Sequence, residues 1–174
     1  MATQVTLKAG LREGHGKGRA RKLRAEGNLP AVVYGAEMDP IALVLNTHEA
    51  KLLFHSISVE NTIVNLEVEG KKTALPTLVR EIQTHPYRPE ILHVDFLRIR
   101  SGVEVELDVP VHLTGSAKGV REDGGVIDQP LHGFPIRCVP DRIPEEILVD
   151  VSALEIGDTV HVSELTLPEG VTAM

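Results

Sequence analysis

Two groups of residues in this chain carry chemistry, and neither is a catalytic site by itself. His93 and Asp95 stand two apart in Ile91-Leu92-His93-Val94-Asp95-Phe96-Leu97-Arg98-Ile99. In an extended strand both project from one face while Leu92, Val94 and Phe96 take the other. Such a pair can be a metal half-site, a general acid/base couple, or hydrogen-bonding groups aimed at base edges. A metal needs at least one further ligand, and although His85 is near in sequence, nothing fixes it beside the pair. Catalysis asks for a nucleophile or a substrate loop, and neither accompanies it.

The second group is cationic. Lys17, Arg19, Arg21, Lys22 and Arg24 fall within eight residues, inside the stretch GHGKGRARKLRAEGNLPAVVYG from Gly14 to Gly35. Guanidinium forks and exposed amides near a helix start both favour phosphate oxygens. Two nucleotide-loop patterns fail: Gly18 follows Gly16-Lys17 where a P-loop needs Ser or Thr, with Leu11 at the upstream glycine position, and Arg19 stands where a dinucleotide fingerprint has its third glycine. A solvated basic helix face is the ordinary meaning of a charge run. Nucleic acid stands beside it as the functional reading.

The elements that must hold these residues are short strands and a few helices. A helix over Ala20–Glu26 would set Arg21 beside Arg24 and Lys17 and turn Ala20 and Leu23 toward the protein, with Gly27 as its C-cap and Pro30 beyond. Val5, Leu7, Ala9 and Leu11 alternate with polar or small residues, so Lys8 and Arg12 share an outer strand face. A strand over Ala31–Tyr34 leaves Tyr34 either in the core or exposed as a platform; a lone strand tyrosine is more often core. Ile41–Leu45 reads as a strand, and Thr47 as the cap of a helix carrying Ala50, Leu53, Phe54 and Ile57 at helical spacing. Strands follow over Thr62–Glu69 and Thr73–Gln83, where Pro76 suggests an edge or a bulge. Thr84-His85-Pro86-Tyr87-Arg88-Pro89 is a stiff turn before the His93/Asp95 strand.

Composition divides the chain in two. Residues 1–100 carry 14 Lys/Arg against 11 Asp/Glu, whereas residues 101–174 carry 4 against 14. A net +3 half followed by a net −10 half points to a polyanion partner for the first only. Ser101-Gly102 marks the change. Beyond it Val103, Val105, Leu107, Val109, Val111 and Leu113 alternate with Glu104, Glu106, Asp108, Pro110 and His112, a half-buried strand with an acidic outer face. Recurrent Gly and Pro turn signals then separate short β runs at Phe134–Val139, Ile147–Val151 and Thr159–Val162. With aromatics at 3% and no tryptophan, the core must rest on Val, Leu and Ile. The single cysteine, Cys138, permits neither an internal disulfide nor a CxxC zinc site. The N-terminus lacks an apolar signal core and no apolar run reaches membrane-spanning length, so a soluble cytoplasmic protein without a membrane partner is expected.

The Gly14–Gly35 motif, followed by THPYRPEILHVDFLRI from Thr84, resembles the bacterial large-subunit ribosomal protein L-twenty-five family. VELDVPVHLTG, GVREDGGVIDQ and PEEILVDVSALEIGDTVHVSEL in the second half resemble its longer two-domain form, the general stress protein CTC. The resemblance implies an all-β protein with a few short helices: a six-stranded-type β-barrel over residues 1–100, then a separate acidic β-rich domain over 101–174. It implies binding of 5S ribosomal RNA at its loop E region, with a sheet face over the minor groove and the basic helix near the major groove. A-form minor grooves expose 2′-hydroxyls and base edges to such a face.

Carried onto matching positions, the implied RNA contacts are Arg12, Lys17, Arg21, Arg24 and Tyr34 from the first motif and His85, His93 and Asp95 from the second. Arg19, Lys22 and Gln83 join them, although the motif says less about their side-chain directions. The implied partners are 5S ribosomal RNA and the large ribosomal subunit, with neighbouring 23S ribosomal RNA or ribosomal proteins for the second domain. No enzyme activity, cofactor, metal or small-molecule substrate is implied. Longer relatives run past the equivalent of Val171 into another strand and a charged tail, which leaves either a second domain with fewer strands or a shortened chain. Two other readings use the same residues: a free-standing RNA chaperone or stress regulator, and an enzyme acting on phosphorylated substrates.

Overall fold

The computed structural model describes residues 4–14, 16–59, 61–71 and 73–174; His15 of the basic motif lies outside them. The chain separates into two compact units, one ending at Val103 and the other running from Glu104.

Among the described residues of the first unit, six strands close into a barrel in the order β1-β3-β2-β6-β5-β4. They are β1 (Gln4–Leu11), β2 (Asn28–Gly35), β3 (Met38–Asn46), β4 (Ile63–Val68), β5 (Leu75–Thr84) and β6 (Ile91–Arg98). Parallel pairing of β1 with β4 completes the circle, and β2 also runs parallel to β6. Closure removes every edge strand. The interior is filled by alternate residues such as Leu7, Leu29, Val33, Leu43, Leu66 and Phe96, all buried in one cluster. Fully burying one such side chain contributes about 1.5–3 kcal/mol, so aliphatic residues with Phe96 suffice where tryptophan is absent.

Helix α2 (Thr47–Ser56) turns Ala50 and Phe54 into that cluster, with Leu53 and Ile57 packed against it. A helix meeting the interior of a closed barrel does so at an open end, and α2 is the lid. Its cap is Asn46 rather than Thr47: the Asn46 Oδ1 accepts from the amides of His48 and Glu49 at 2.9 and 3.2 Å. The strand runs one residue further than the apolar pattern indicated, and an amide oxygen caps as well as a hydroxyl.

Helix α1 (Lys17–Ala25) begins a turn earlier than Ala20. It contains Gly18, buries no residue fully, and has neither a side-chain N-cap nor an acidic residue in its first turn. A nine-residue helix of this kind is marginal alone, so tertiary contacts hold it. Lys22 and Arg24 complement its C-terminal dipole, and Gly27 at φ 81 ends it in the left-handed conformation glycine adopts freely.

Other expectations shift for local reasons. Leu11 occupies an inward-facing position, yet it is 54% exposed: the pairing of β1 with β4 ends at Ala9, and only β3 accompanies the strand beyond it. Pro76 sits on no edge; it lies one residue before the β5–β6 ladder begins at Thr77, where its missing N–H breaks no described pairing with β6, and the bulge falls later, between Val79 and Glu81.

Among the described residues of the second unit, four strands form a curled sheet in the order β10-β8-β7-β9. These are β7 (Val105–Thr114), β8 (Gly133–Cys138), β9 (Ile147–Asp150) and β10 (Val171–Ala173). The long β7 pairs antiparallel with β8 through Pro110 and then parallel with β9 from Val111. Leu107, Val109, Phe134, Ile136 and Val149 are buried, with Glu104, Glu106 and Asp108 exposed as the alternation required. Two short elements escape the apolar pattern, β10 and the helix α3 (Lys118–Asp123). Thr159–Val162 is not a strand; Val162–Glu164 forms a 3-10 turn, held by the Glu164 carboxylate accepting from the His161 amide at 3.1 Å.

Candidate nucleic-acid interface

Strand register assembles the outer face of the barrel. Val94 and Phe96 lie opposite Ala31 and Val33, all four in the core, so the intervening residues must point outward. Asp95 is thereby opposite Val32 on β2 and Glu81 on β5, Gln83 is opposite His93, and Tyr34 is opposite Leu97. Val32 continues the row to Ala42 on β3, whose carbonyl accepts from the Arg12 amide at 3.0 Å. Arg12, Tyr34, Gln83, His93 and Asp95 therefore sit on one continuous outer surface crossing five strands. Tyr34 is half-buried and outside the core cluster, so the core reading of this residue is not met.

Within this face His93 and Asp95 form a joined unit. The His93 Nδ1 and Asp95 Oδ1 are 2.6 Å apart, with side chains 26% and 23% exposed. An ionised carboxylate can only accept, so Nδ1 carries the hydrogen and the ring turns its Nε2 away from Asp95, an acceptor in the neutral imidazole and a donor in the imidazolium. The pair thus offers an acceptor, Oδ2, beside an oriented ring nitrogen, both held in a fixed orientation. Base amino groups and 2′-hydroxyls are the donors such an acceptor suits. Among the described residues no group of three or more His, Cys, Asp or Glu side chains converges as metal ligands.

Helix α1 is tethered to the same face. The Arg24 guanidinium donates to the Leu92 carbonyl at 3.2 Å, next to His93. Arg19 folds back instead: its Nη1 donates to the Glu13 carbonyl at 2.9 Å, across Gly14. A Cβ on Gly14 would displace that guanidinium, and φ of 79 is already unfavourable for other residues. Lys22 lies 3.9 Å from Glu26 in a solvent-exposed i, i+4 pair, an interaction of little strength. Lys17 and Arg21 are exposed, and neither makes a side-chain ion pair or hydrogen bond to another described residue. The five cations consequently differ in role: two project freely, one is weakly paired, and two shape the loop and the docking of the helix.

His85 stands in the turn beyond β5, apart from the contiguous row. Its amide donates to the Glu90 carbonyl at 2.8 Å and its Nδ1 accepts from the Tyr87 amide at 3.2 Å. Lys51 of α2 donates to the Pro89 carbonyl at 2.9 Å, which fixes the turn against the lid helix. Arg12 buries its Nε, as does Arg98, without an acceptor among the described residues. A buried unsatisfied donor is costly. Sequence reasoning passed over Glu81, which shares the Gln83 face and places a second carboxylate opposite Asp95. Its i, i+2 spacing from Gln83 was the available signal.

Comparison with known proteins bears on both units. The Ribosomal L25p family model matches residues 7–96, and the model for the C-terminal domain of ribosomal protein TL5 matches residues 104–174. This chain belongs to the ribosomal L25p family. It has the longer, two-domain form. Its relatives named large ribosomal subunit protein bL25 include one from Idiomarina loihiensis, 36% identical over 95% of this chain and 75% of the relative. Others are from Methylorubrum extorquens PA1, 39% identical over 98% and 75%, and Methylobacillus flagellatus, 39% identical over 96% and 81%. All eleven candidate contact residues fall inside the first matched region. No helix among the described residues is long and apolar enough to cross a membrane.

Proposed function

We propose that this member of the L25p family is a cytoplasmic structural constituent of the large ribosomal subunit that binds 5S ribosomal RNA in its loop E region, without catalytic activity or cofactor. The sheet face of Tyr34, Gln83, His93 and Asp95 reads the minor groove, while Lys17, Arg21 and the uncapped start of α1 engage phosphates near the major groove. Arg12 and His85 extend the contact at its two sides. Arg24 holds the helix in place beside the face, and Arg19 holds the loop.

One observation carries this reading: the Arg24–Leu92 bond couples a helix with free cations to the strand presenting the His93–Asp95 pair. Phosphate contacts position a nucleic acid, and base-edge or sugar contacts discriminate it. A protein with both on one surface is suited to a defined RNA site rather than to RNA in general. The second unit cannot add phosphate contacts readily, because it carries 4 Lys/Arg against 14 Asp/Glu.

Co-sedimentation tests the ribosomal assignment against a free-standing chaperone or regulator. The full chain should remain with large subunits through a high-salt cushion, since a contact built partly on base-edge and sugar bonds survives screening that removes purely ionic binding. Complete release into the supernatant, with retention on bulk RNA at low salt only, would favour the free-standing reading.

A further inference from the structure

The second unit contains a groove of about 520 Å3 that the RNA-binding reading does not use. Its floor is the inner face of the sheet, where Val111 and Leu113 of β7 lie under incomplete cover beside the buried Val149 of β9. One lip is the segment after α3 and the other the irregular chain following Val151. Val126 on the first lip is 92% exposed and Ile156 on the second 64%, with Ile127, Leu131 and Val160 also open to solvent. Single exposed apolar residues are commonplace, but a contiguous set around a concave apolar floor marks an interaction site.

Charge identifies the occupant. Among the described residues the ionisable side chains lining the groove are Asp128, Glu155 and Asp158, with no Lys or Arg. The four cations of this unit are all engaged: Lys118 with Glu155, Arg121 with Glu122, Arg137 with Glu106, and Arg142 with the Glu169 carbonyl. RNA phosphates would therefore find no free cation and an acidic rim. A second copy would bring the same acidic surface to this one. What complements an apolar floor with carboxylates at its edge is a segment with apolar anchors and flanking Lys or Arg.

We propose that this groove docks a cationic, amphipathic segment of a neighbouring protein, its apolar side chains on Val111, Leu113 and Val149 and its cations beside Asp128 and Asp158. An amphipathic helix with anchors at i, i+3/i+4 and i+7 is the form such a groove takes most readily. The inference is independent of the barrel contacts. A chain that fails to bind 5S RNA would still bind the segment, so the two proposals fail separately.

Methyl NMR on the full chain tests it, with a short synthetic Leu/Lys amphipathic helix as probe and its Leu/Glu counterpart as control. The Leu/Lys peptide should shift the Val111, Leu113 and Val149 methyls and bind about tenfold tighter than the Leu/Glu peptide. Ile156→Ser should weaken it about fivefold or more, the scale of losing one interface anchor. Val126→Ser, at a position too exposed to affect folding, should weaken it in the same direction, and Asp128→Asn should narrow the preference for the Lys peptide. Equal affinity for the two peptides, unchanged affinity in both serine variants, or shifts confined to other surfaces would overturn the proposal. So would groove shifts that appear with protein concentration alone, which would identify a second copy, or with added 5S RNA.

Discussion

Asp95→Asn separates direct readout from simple charge, because the two predict opposite signs. Asn keeps the volume and still accepts from the His93 Nδ1 at the position of Oδ1, 2.6 Å away, so the histidine keeps its orientation. What changes is the outward atom, from a carboxylate acceptor to an amide that donates or accepts less strongly. Losing a hydrogen bond to a charged acceptor costs about 1.5–3 kcal/mol, roughly ten- to hundredfold in affinity. Against this, removing one negative charge about 8 Å from a phosphate relieves at most about 0.5 kcal/mol in water, before screening. The readout term wins by several-fold. Fluorescence anisotropy with labelled 5S RNA across a salt series should therefore give at least about tenfold weaker binding with an unchanged salt slope. Tighter binding by the variant would refute the acceptor role assigned to Asp95.

Arg21→Ala should weaken binding and reduce the salt slope in magnitude by about 0.7 to 0.9, as one phosphate contact is lost; an unaltered slope would remove Arg21 from the interface. Arg24→Ala should in addition lower thermal stability, since it deletes the bond to the Leu92 carbonyl, and calorimetry that found no loss would make Arg24 a plain phosphate ligand. Gly14→Ala should destabilise by about 1–2 kcal/mol in urea unfolding, because its φ of 79 is left-handed; a neutral result would mean the loop does not need that backbone conformation. In filter binding, the fragment ending at Val103 should retain 5S RNA and the fragment from Glu104 should not, and the reverse outcome would overturn the division of labour. Burial raises the Cys138 thiol pKa above its ordinary value, so its folded pKa exceeds its unfolded one. The associated stability is full below the unfolded thiol pKa and is lost as pH rises through the folded pKa. Alkylation at mildly alkaline pH should therefore await unfolding, and rapid labelling of the native chain would contradict its burial.

Period-2 patterning was strong enough to locate the barrel strands and the acidic face of β7, because each strand has one wet and one dry side. It misjudged elements with weak apolar pattern: α3 and the three-residue β10 carry almost none, and Thr159–Val162 imitates a strand without a partner to pair with. Tyr34 could not be assigned from sequence because its face depends on the parallel pairing of β2 with β6, which only closure of the barrel sets. The candidate contacts were legible as residue types but not as roles. Whether an arginine projects to solvent or turns back on a carbonyl depends on distant groups: Leu92 is sixty-eight positions from Arg24. The groove was invisible for the same reason, since its floor and lips are brought together from separate segments spread between Val111 and Leu165.

One surface of the barrel is proposed to recognise a particular RNA. Gel-shift titration of the purified full chain against 5S ribosomal RNA, with transfer RNA as competitor at near-physiological salt, tests it most directly. The complex should persist under a large molar excess of transfer RNA and disappear with unlabelled 5S RNA. Equal displacement by both RNAs would contradict it, leaving a basic helix that binds phosphates without discrimination.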